Sequence, residues 1–274
     1  MRFRQGRTAA VQVAAAVLLL PACSVIEEES VLDGETLTVG VKYDQPGLGL
    51  EEDDTLVGFD VDVAVYIAEK MGFEEERVEF TGVTSAERED RILDGEVDMV
   101  AATYSITPER KTEVTFGGPY YVAEQDILVR SDASGVEGVR DLEGLDVCRS
   151  EGSYSTARIT DGLGIDVTLV DAPSYSECIE WLREGRVDAV STDDLILAGF
   201  LAEDPSAFRF VNNPFTEEKY GVGLPHGDVR ACEAVNKAIS EMYQDGTAAE
   251  LLDKWFGSTD LDVVESVPQF EGCD

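Results

Sequence analysis

The feature that most constrains the fold is a sequence pattern that occurs twice. Gly95-Glu-Val-Asp-Met-Val-Ala-Ala-Thr103 matches Gly185-Arg-Val-Asp-Ala-Val-Ser-Thr-Asp193. Each copy passes from Gly-x-Val-Asp into a short apolar run, which is typical of a buried strand. A chain that repeats this unit is expected to build the same α/β arrangement twice.

Helices are predicted before each copy and near both ends of the chain. The helix before the first copy covers 84–94 and begins with Thr84 and Glu87 at the spacing of a capping box. The helix before the second copy covers 176–184. Further helices are predicted from 61 to 71, ended by Gly72; from the N-cap Asp228 to Gly246; and from a second capping box, Thr247 and Glu250, through the core residues Trp255 and Phe256.

Buried strands are expected at 37–41 and 145–148 in addition to the two copies. Strands that alternate with helices of about ten residues favour βαβ units and a parallel sheet, here in two similar α/β lobes. Ligands of open α/β sheets bind beyond the carboxyl ends of the strands. The polar segments expected there are 42–45, 103–107, 150–155 and 191–194.

The N-terminus carries an export signal. Arg2, Arg4 and Arg7 precede a mostly apolar run at 9–20, which is too short for a transmembrane helix of about 20 residues. Cys23 follows small residues, and this arrangement resembles a lipobox. The resemblance implies cleavage before Cys23 and its diacylation, with a simple secretory signal as the alternative.

Residues 1–22 are accordingly predicted to be a lipoprotein signal peptide, and 23–34 an acidic tether without a core pattern. The exported chain is expected to be lipid-anchored to the outer face of the cytoplasmic membrane. The membrane is a partner only through this anchor.

Acidic residues outnumber basic ones by 57 to 21, for a formal charge of -36. Loss of three arginines with the signal peptide makes the exported chain more negative still. Nucleic acid is therefore excluded as a bulk partner, because it is negative too. A local cationic cavity remains compatible with this exterior.

Apart from Cys23, the cysteines form an even set in an exported chain, which favours disulfides. They are Cys148, Cys178, Cys232 and Cys273. Three pairings are possible from the sequence. Zinc is disfavoured because no C-x-x-C pattern occurs and His226 is the only histidine, so neither a metal nor a cofactor is expected.

Several segments together resemble the polar amino-acid solute-binding proteins of ABC importers. They are Ser105-Ile-Thr-Pro-Glu-Arg110, Phe116-Gly-Gly-Pro-Tyr-Tyr121, Val57-Gly-Phe-Asp-Val-Asp62, the repeated Gly-x-Val-Asp and Met242-Tyr-Gln-Asp-Gly-Thr247. Lys42-Tyr-Asp-Gln-Pro-Gly47 most resembles the glutamate-binding lipoproteins of Gram-positive importers. The resemblance covers about residues 35–257.

The resemblance implies an α/β fold of the type II periplasmic-binding-protein class, with two Rossmann-like lobes joined by two crossing strands. Lobe 1 would hold 35–122 and 219–274, and lobe 2 would hold 123–218. The implied disulfides are Cys148–Cys178 within lobe 2 and Cys232–Cys273 within lobe 1, since each pair then joins segments of one lobe.

The resemblance also implies roles for individual residues in lobe 1. Arg110 would hold the α-carboxylate of an amino acid through its planar two-pronged guanidinium, where a surface helix arginine is the alternative. Ser105 would add donors to the same carboxylate or cap a helix. Thr103 would offer its carbonyl oxygen to the ammonium group.

In lobe 2, Asp193 would accept the ammonium group, with ordinary N-capping as its alternative role and Asp194 as the alternative residue. Ser153 and Tyr154 precede a helix, where free amides can face an anion. Relatives usually carry Ser or Thr at the position of Tyr154, so this chain departs from the pattern there.

Lys42 and Arg88 would select the ligand side chain. Arg88 lies in the first turn of its predicted helix, where the helix dipole disfavours a cation, so a functional reason is plausible beside simple pairing with Glu87 or Glu89. Three cations suit two carboxylates and one ammonium group.

The sequence therefore predicts a monomeric, non-enzymatic binding protein for L-glutamate, with L-aspartate next, that serves the transmembrane subunits of an ABC permease. The alternatives are a glutamine- or cystine-binding protein, a sensor component, and a dehydratase-type enzyme of the same fold.

Overall fold

A computed structural model describes residues 29–259, 261, 263 and 266–273. The predicted signal peptide 1–22 and the lipidation at Cys23 lie outside the described residues. Within these ranges, no helix combines the length and the apolar character that crossing a membrane requires.

Strands and helices alternate along most of the chain. The strands are β1 (Leu37–Val41), β2 (Asp44–Gln45), β3 (Gly49–Glu52), β4 (Thr55–Val57), β5 (Val78–Gly82), β6 (Met99–Val100), β7 (Thr115–Arg130), β8 (Asp146–Ser150), β9 (Thr168–Ala172), β10 (Ala189–Asp193), β11 (Phe208–Phe210) and β12 (Thr216–Leu224). The α-helices are α1 (Phe59–Met71), α2 (Arg88–Leu93), α3 (Ser155–Ala157), α4 (Tyr175–Glu184), α5 (Asp194–Glu203), α6 (Val229–Gln244) and α7 (Thr247–Phe256).

The main sheet has the strand order β5-β1-β6-β12-β7-β10-β8-β9, with β11 paired to β7. Its first half, β5-β1-β6, is parallel, and its second half, β9-β8-β10, is parallel with the same internal order. The third strand of each half, β6 or β10, carries one copy of the repeated sequence. The repeat thus corresponds to two equivalent βαβ arrangements, as predicted.

Two long strands, β7 and β12, pair antiparallel with each other and connect the halves. β12 continues the first half by pairing with β6, and β7 continues the second half by pairing with β10. These are the two crossing strands that the sequence predicted. The lobe boundaries at 122/123 and 218/219 fall inside their ladder, where Lys219 lies opposite Val122, and they stay a prediction.

Helices cover the sheet, and each disulfide has one cysteine on a helix. The apolar side of α6 is buried as its spacing predicts, and Cys232 on this helix is bonded to Cys273. In the second half, Cys178 of α4 is bonded to Cys148 of β8. These are the two pairings that the resemblance implied.

Two helix starts differ from the prediction. α2 begins at Arg88 rather than at Thr84, and a turn precedes it. Half of the predicted Thr84–Glu87 box forms, because the Thr84 amide donates to Glu87 Oε2 at 2.9 Å, and the Thr84 hydroxyl donates to the same oxygen at 2.8 Å. α7 has Gly246 as its N-cap, so the proposed box of Thr247 and Glu250 does not form. The first difference matters, because the turn presents Ser85 to the interior.

The predicted tether is partly folded. Ser30 Oγ donates to Asp228 Oδ1 at 2.7 Å, and the Val31 amide donates to Asp228 Oδ2 at 2.9 Å. Val31 and Leu32 pack on the core, and Asp33 pairs with Arg230. The interpretation of 29–34 as a tether without core contacts is therefore wrong, because Asp228 supplies a carboxylate that fixes it.

Candidate functional site

A cavity lies between the two halves of the sheet, at the carboxyl ends of their strands. The lining residues are Ser85, Arg88, Thr103, Ser105, Arg110, Ser153, Tyr154, Ser155, Tyr175, Thr192, Asp193 and Ile196. The structure thus brings together every predicted ligand-binding residue except Lys42.

The two arginines of the cavity are buried, with Arg88 2% and Arg110 6% exposed. Arg88 donates from Nη1 to the carbonyl oxygens of Ala102 and Thr103 at 2.9 and 3.1 Å. It forms no ion pair with Glu87 or Glu89, so simple pairing does not explain it. Glu89 instead pairs with Arg110 Nε at 3.0 Å, which excludes the interpretation of Arg110 as a free surface side chain.

The ring of Tyr104 supports both guanidinium groups. The Cζ atom of Arg88 lies 4.4 Å from the ring centroid, and that of Arg110 lies 4.9 Å from it. Burial, together with the charge of Arg110, lowers the pKa of Arg88 to about 10. The aromatic face stabilises two like charges that would otherwise repel each other at close range.

Lys42 lies behind the cavity wall rather than in it. It follows β1, is 2% exposed, and donates from Nζ to Ser85 Oγ at 2.7 Å. Burial and then the nearby Arg88 lower the pKa of Lys42 to about 7. Its influence on a ligand therefore passes through the Ser85 hydroxyl, which does line the cavity.

Thr103 is held in an unusual backbone conformation by a buried carboxylate. Its φ is 44°, its amide donates to Asp60 Oδ2 at 2.7 Å, and the Tyr120 hydroxyl donates to Asp60 Oδ1 at 2.7 Å. Burial raises the pKa of Asp60 to about 6, against these hydrogen bonds. The sequence placed Asp60 only within a motif of the family resemblance, and its contact with Thr103 was not predicted.

Ser105 contributes through its backbone in this structure. Its carbonyl oxygen accepts from Arg110 Nη1 at 2.8 Å, so it orients the guanidinium. The Arg110 amide donates to Thr107 Oγ1 at 3.2 Å, so the side-chain contact in this turn comes from Thr107 rather than Ser105.

The second half supplies mainly hydroxyl groups. Ser153 Oγ lies 2.6 Å from the Tyr175 hydroxyl, and Ser155 Oγ lies 3.1 Å from Thr192 Oγ1. Tyr154 faces Arg110, whose Cζ lies 5.7 Å from the ring centroid. Its aromatic ring therefore borders the Arg110 guanidinium.

Asp193 is a buried side chain of the second half, and its carboxylate lines the cavity. It is the N-cap residue of α5, yet its side chain makes no capping hydrogen bond, so ordinary N-capping does not account for it. Burial and the charge of Glu218 raise the pKa of Asp193 to about 8. Asp194 does not line the cavity, and its Oδ1 accepts from the Leu195 amide at 2.7 Å.

Direct contacts join the two halves around the cavity. The Gly152 carbonyl oxygen accepts from Nη2 of Arg110 at 2.8 Å and of Arg88 at 3.3 Å. Outside the cavity, Ser176 Oγ donates to Asp44 Oδ2 at 2.8 Å. The halves therefore enclose the site from both sides.

Sequence reasoning missed several lining residues. Ser155 and Thr192 lie within segments that it selected but did not resolve residue by residue. Ser85 and Tyr175 lie beyond the carboxyl ends of β5 and β9, two strands that it did not identify. The same rule about strand ends would have found both, had those strands been recognised.

Known proteins resemble this chain over most of its length. The sequence model of the bacterial extracellular solute-binding proteins, family 3, matches residues 37–258. The glutamate-binding protein GluB of Corynebacterium glutamicum is 42% identical over 248 residues, covering 86% of this chain and 84% of that protein. The ABC transporter glutamine-binding protein GlnH of Bacillus subtilis is 31% identical over 229 residues, covering 82% and 83%.

The solved structure of an ancestral arginine-binding protein bound to arginine is also similar. It has a TM-score of 0.74 and 33% identity, and the match covers 82% of this chain and 99% of that one. With the family match, this similarity confirms the predicted type II two-lobe fold.

Proposed function

Because the chain belongs to the bacterial extracellular solute-binding proteins of family 3, we propose that it captures an acidic amino acid and delivers it to an ABC permease. L-glutamate is the favoured ligand and L-aspartate the next. The observation that carries the proposal is a concentration of three buried basic side chains, with Arg88 and Arg110 lining the cavity and Lys42 behind its wall, in a site that also holds the buried carboxylate of Asp193.

The amino-acid end of the ligand is assigned to Arg110, Thr103 and Asp193. The guanidinium of Arg110 matches a carboxylate in shape and charge. Burial raises the pKa of the Asp193 carboxyl group, and an ammonium group beside it would offset the cost of its buried negative charge. The Thr103 carbonyl oxygen, held in place through Asp60, would be the second acceptor for that ammonium group.

The side-chain end is assigned to Arg88, the Ser85 hydroxyl and Lys42 behind it. Charge-assisted hydrogen bonds contribute about 1.5–3 kcal/mol each, so a few support a complex of about micromolar affinity, which needs only about 8 kcal/mol net. A neutral ligand side chain would leave the buried guanidinium of Arg88 without a counter-charge from the ligand.

The relatives support the same ligand class. The GluB protein carries glutamate in its name and is 42% identical, whereas the GlnH protein, named for glutamine, is 31% identical. Glutamine is therefore the second candidate, and cystine and a sensor role remain further alternatives. These proteins and the family are binding proteins, which argues against a dehydratase-type enzyme.

The setting of this function follows from the N-terminal sequence. We propose that Cys23 carries a lipid anchor, which holds a monomeric receptor near the permease on the outer face of the membrane. Ser30, seven residues after Cys23, already donates to Asp228 of the core, so the anchor would hold the receptor close to the membrane.

Calorimetric titration of the purified protein with glutamate, aspartate, glutamine and cystine tests the ligand. Glutamate is expected to bind most tightly and aspartate next. Lys42→Ala and Arg88→Ala should weaken glutamate binding more than glutamine binding. Tight binding of glutamine without binding of glutamate would refute the assignment.

A further inference from the structure

We propose that Lys42 takes up a proton when an acidic side chain enters the cavity, so that glutamate binding is coupled to protonation and glutamine binding is not. This inference rests on the proposed function and concerns the same cavity. It identifies how a buried lysine that does not touch the cavity can still select the charge of the ligand.

The buried Lys42 side chain has fewer hydrogen-bond acceptors than an ammonium group can use. An ammonium group has three donors, and Lys42 is 2% exposed. Within the described part of the chain, its hydrogen-bond acceptor is Ser85 Oγ, and no carboxylate of that part forms an ion pair with it. A buried ammonium group without a counter-charge is costly, and a neutral amine is the less costly form.

Charged groups around Lys42 act on it in both directions. Arg88 of α2 and Arg110 in the turn after β6 oppose a charge on Lys42, whereas Asp44 of β2 and Asp60 of α1 favour it. Asp60 is already engaged with Thr103 and Tyr120, and Asp44 with Ser176. Neither carboxylate supplies a paired counter-ion.

Burial and the neighbouring cations both favour the neutral form of Lys42. Burial and then Arg88 bring the pKa of Lys42 to about 7, so a large share of the molecules carry a neutral amine at neutral pH. A carboxylate placed against the Ser85 hydroxyl and Arg88 would add a negative charge on the far side of Ser85. That charge raises the pKa of Lys42 and favours its protonation.

The hydrogen-bond directions allow this coupling. Lys42 Nζ donates to Ser85 Oγ, so the hydroxyl proton of Ser85 is free to point into the cavity toward an acceptor on the ligand. The buffer acid provides the proton, which ends on Lys42 Nζ. Glutamine also offers an acceptor but no negative charge, and therefore gives Lys42 no reason to protonate.

The experiment is calorimetric titration of the full chain with glutamate and with glutamine, each in two buffers of different ionisation enthalpy. The dependence of the measured enthalpy on the buffer yields the number of protons taken up. At about pH 8, glutamate should take up close to one proton more than glutamine, and at about pH 6 the difference should approach zero. Asp193 would face the ammonium group of both ligands, so any proton that it releases to the buffer on binding cancels in the difference.

A second readout needs no variant. Because the bound state holds the extra proton, the affinity for glutamate should fall as the pH rises above about 7, by up to about tenfold per pH unit, relative to that for glutamine. A ratio of the two affinities that is independent of pH would overturn the coupling.

Two variants assign the proton to Lys42. Lys42→Met should abolish the difference in proton uptake between the ligands, and Lys42→Arg, whose charge is permanent, should bind glutamate without the uptake. Lys237→Met is the matched control, because the Lys237 side chain is 78% exposed and it should retain the wild-type difference.

The outcomes separate this inference from the proposed function. Glutamate binding with the same proton uptake as glutamine, or a difference that survives Lys42→Met, overturns the role of Lys42 and leaves the ligand assignment intact. Failure of glutamate to bind at any pH would overturn both.

Discussion

Gly152 lies where the two halves approach each other closely beside the cavity. Its φ is +72°, and its carbonyl oxygen accepts from both Arg88 and Arg110. A Cβ atom at this position would lie 2.4 Å from the Ala86 amide nitrogen, across the cavity. Only glycine combines this backbone conformation with so close an approach.

Gly152→Ala should therefore weaken the binding of every ligand, because it obstructs the contact between the halves. Overpacking of this kind costs about 1–3 kcal/mol, which corresponds to a roughly 5- to 150-fold loss of affinity in calorimetric titration.

Gly164→Ala is the matched control for this variant. Gly164 also has a positive φ, +66°, but nothing lies within 4 Å of its Cβ position. Both variants should lose similar stability through backbone strain, and only Gly152→Ala should lose affinity. Equal affinities of the two variants would show that Gly152 does not limit closure.

At the scale of elements, α6 joins the N-terminal segment to the core. Asp228 caps this helix by accepting from the Ala231 amide at 3.0 Å, and the same carboxylate accepts from Ser30 and Val31. One buried side chain thus satisfies a helix end and fixes the segment that holds Ser30 and Val31.

Asp228→Ala should lower the free energy of unfolding by about 2 kcal/mol or more, because the cap alone is worth about 1–2 kcal/mol. For a chain of this size, each 1 kcal/mol shifts Tm by about 2–4 °C, so thermal unfolding should begin several degrees earlier. Asp132→Ala, at a side chain that is 86% exposed, should leave Tm nearly unchanged. An unchanged Tm for Asp228→Ala would refute its anchoring role.

At the scale of the whole molecule, charge is distributed unequally. The chain carries a formal charge of -36, yet Lys42, Arg88 and Arg110 are all buried around one cavity. The exterior should repel an anionic ligand at long range, whereas the cavity attracts it at short range.

Salt should therefore accelerate the association of glutamate, because it screens the repulsion by the exterior more than the contacts within the cavity. The screening length is about 30 Å at 0.01 M and about 10 Å at 0.1 M salt. Stopped-flow measurement over this range should show a rising association rate for glutamate and little change for glutamine, which carries no net charge. A rate for glutamate that falls with added salt would contradict the repulsion.

Much of this molecule could be predicted from its sequence, because the information was local. The repeated Gly-x-Val-Asp pattern, the period of the apolar residues in α6 and the polar segments after the strands indicated the α/β class and the edge of the sheet that holds the cavity. The resemblance of short motifs to a known family then selected Arg110 and Asp193 before any distance was known.

Only the tertiary structure decided how these residues act on one another. Lys42 lies behind Ser85, Asp60 holds Thr103, and Gly152 accepts from two arginines of the opposite half. Such contacts join residues that are far apart in the chain. They depend on the direction in which each side chain points at the end of its strand. Local patterns determine strands and helices, whereas burial and partnering, which set the charge of Lys42 and Asp193, arise only in the tertiary structure.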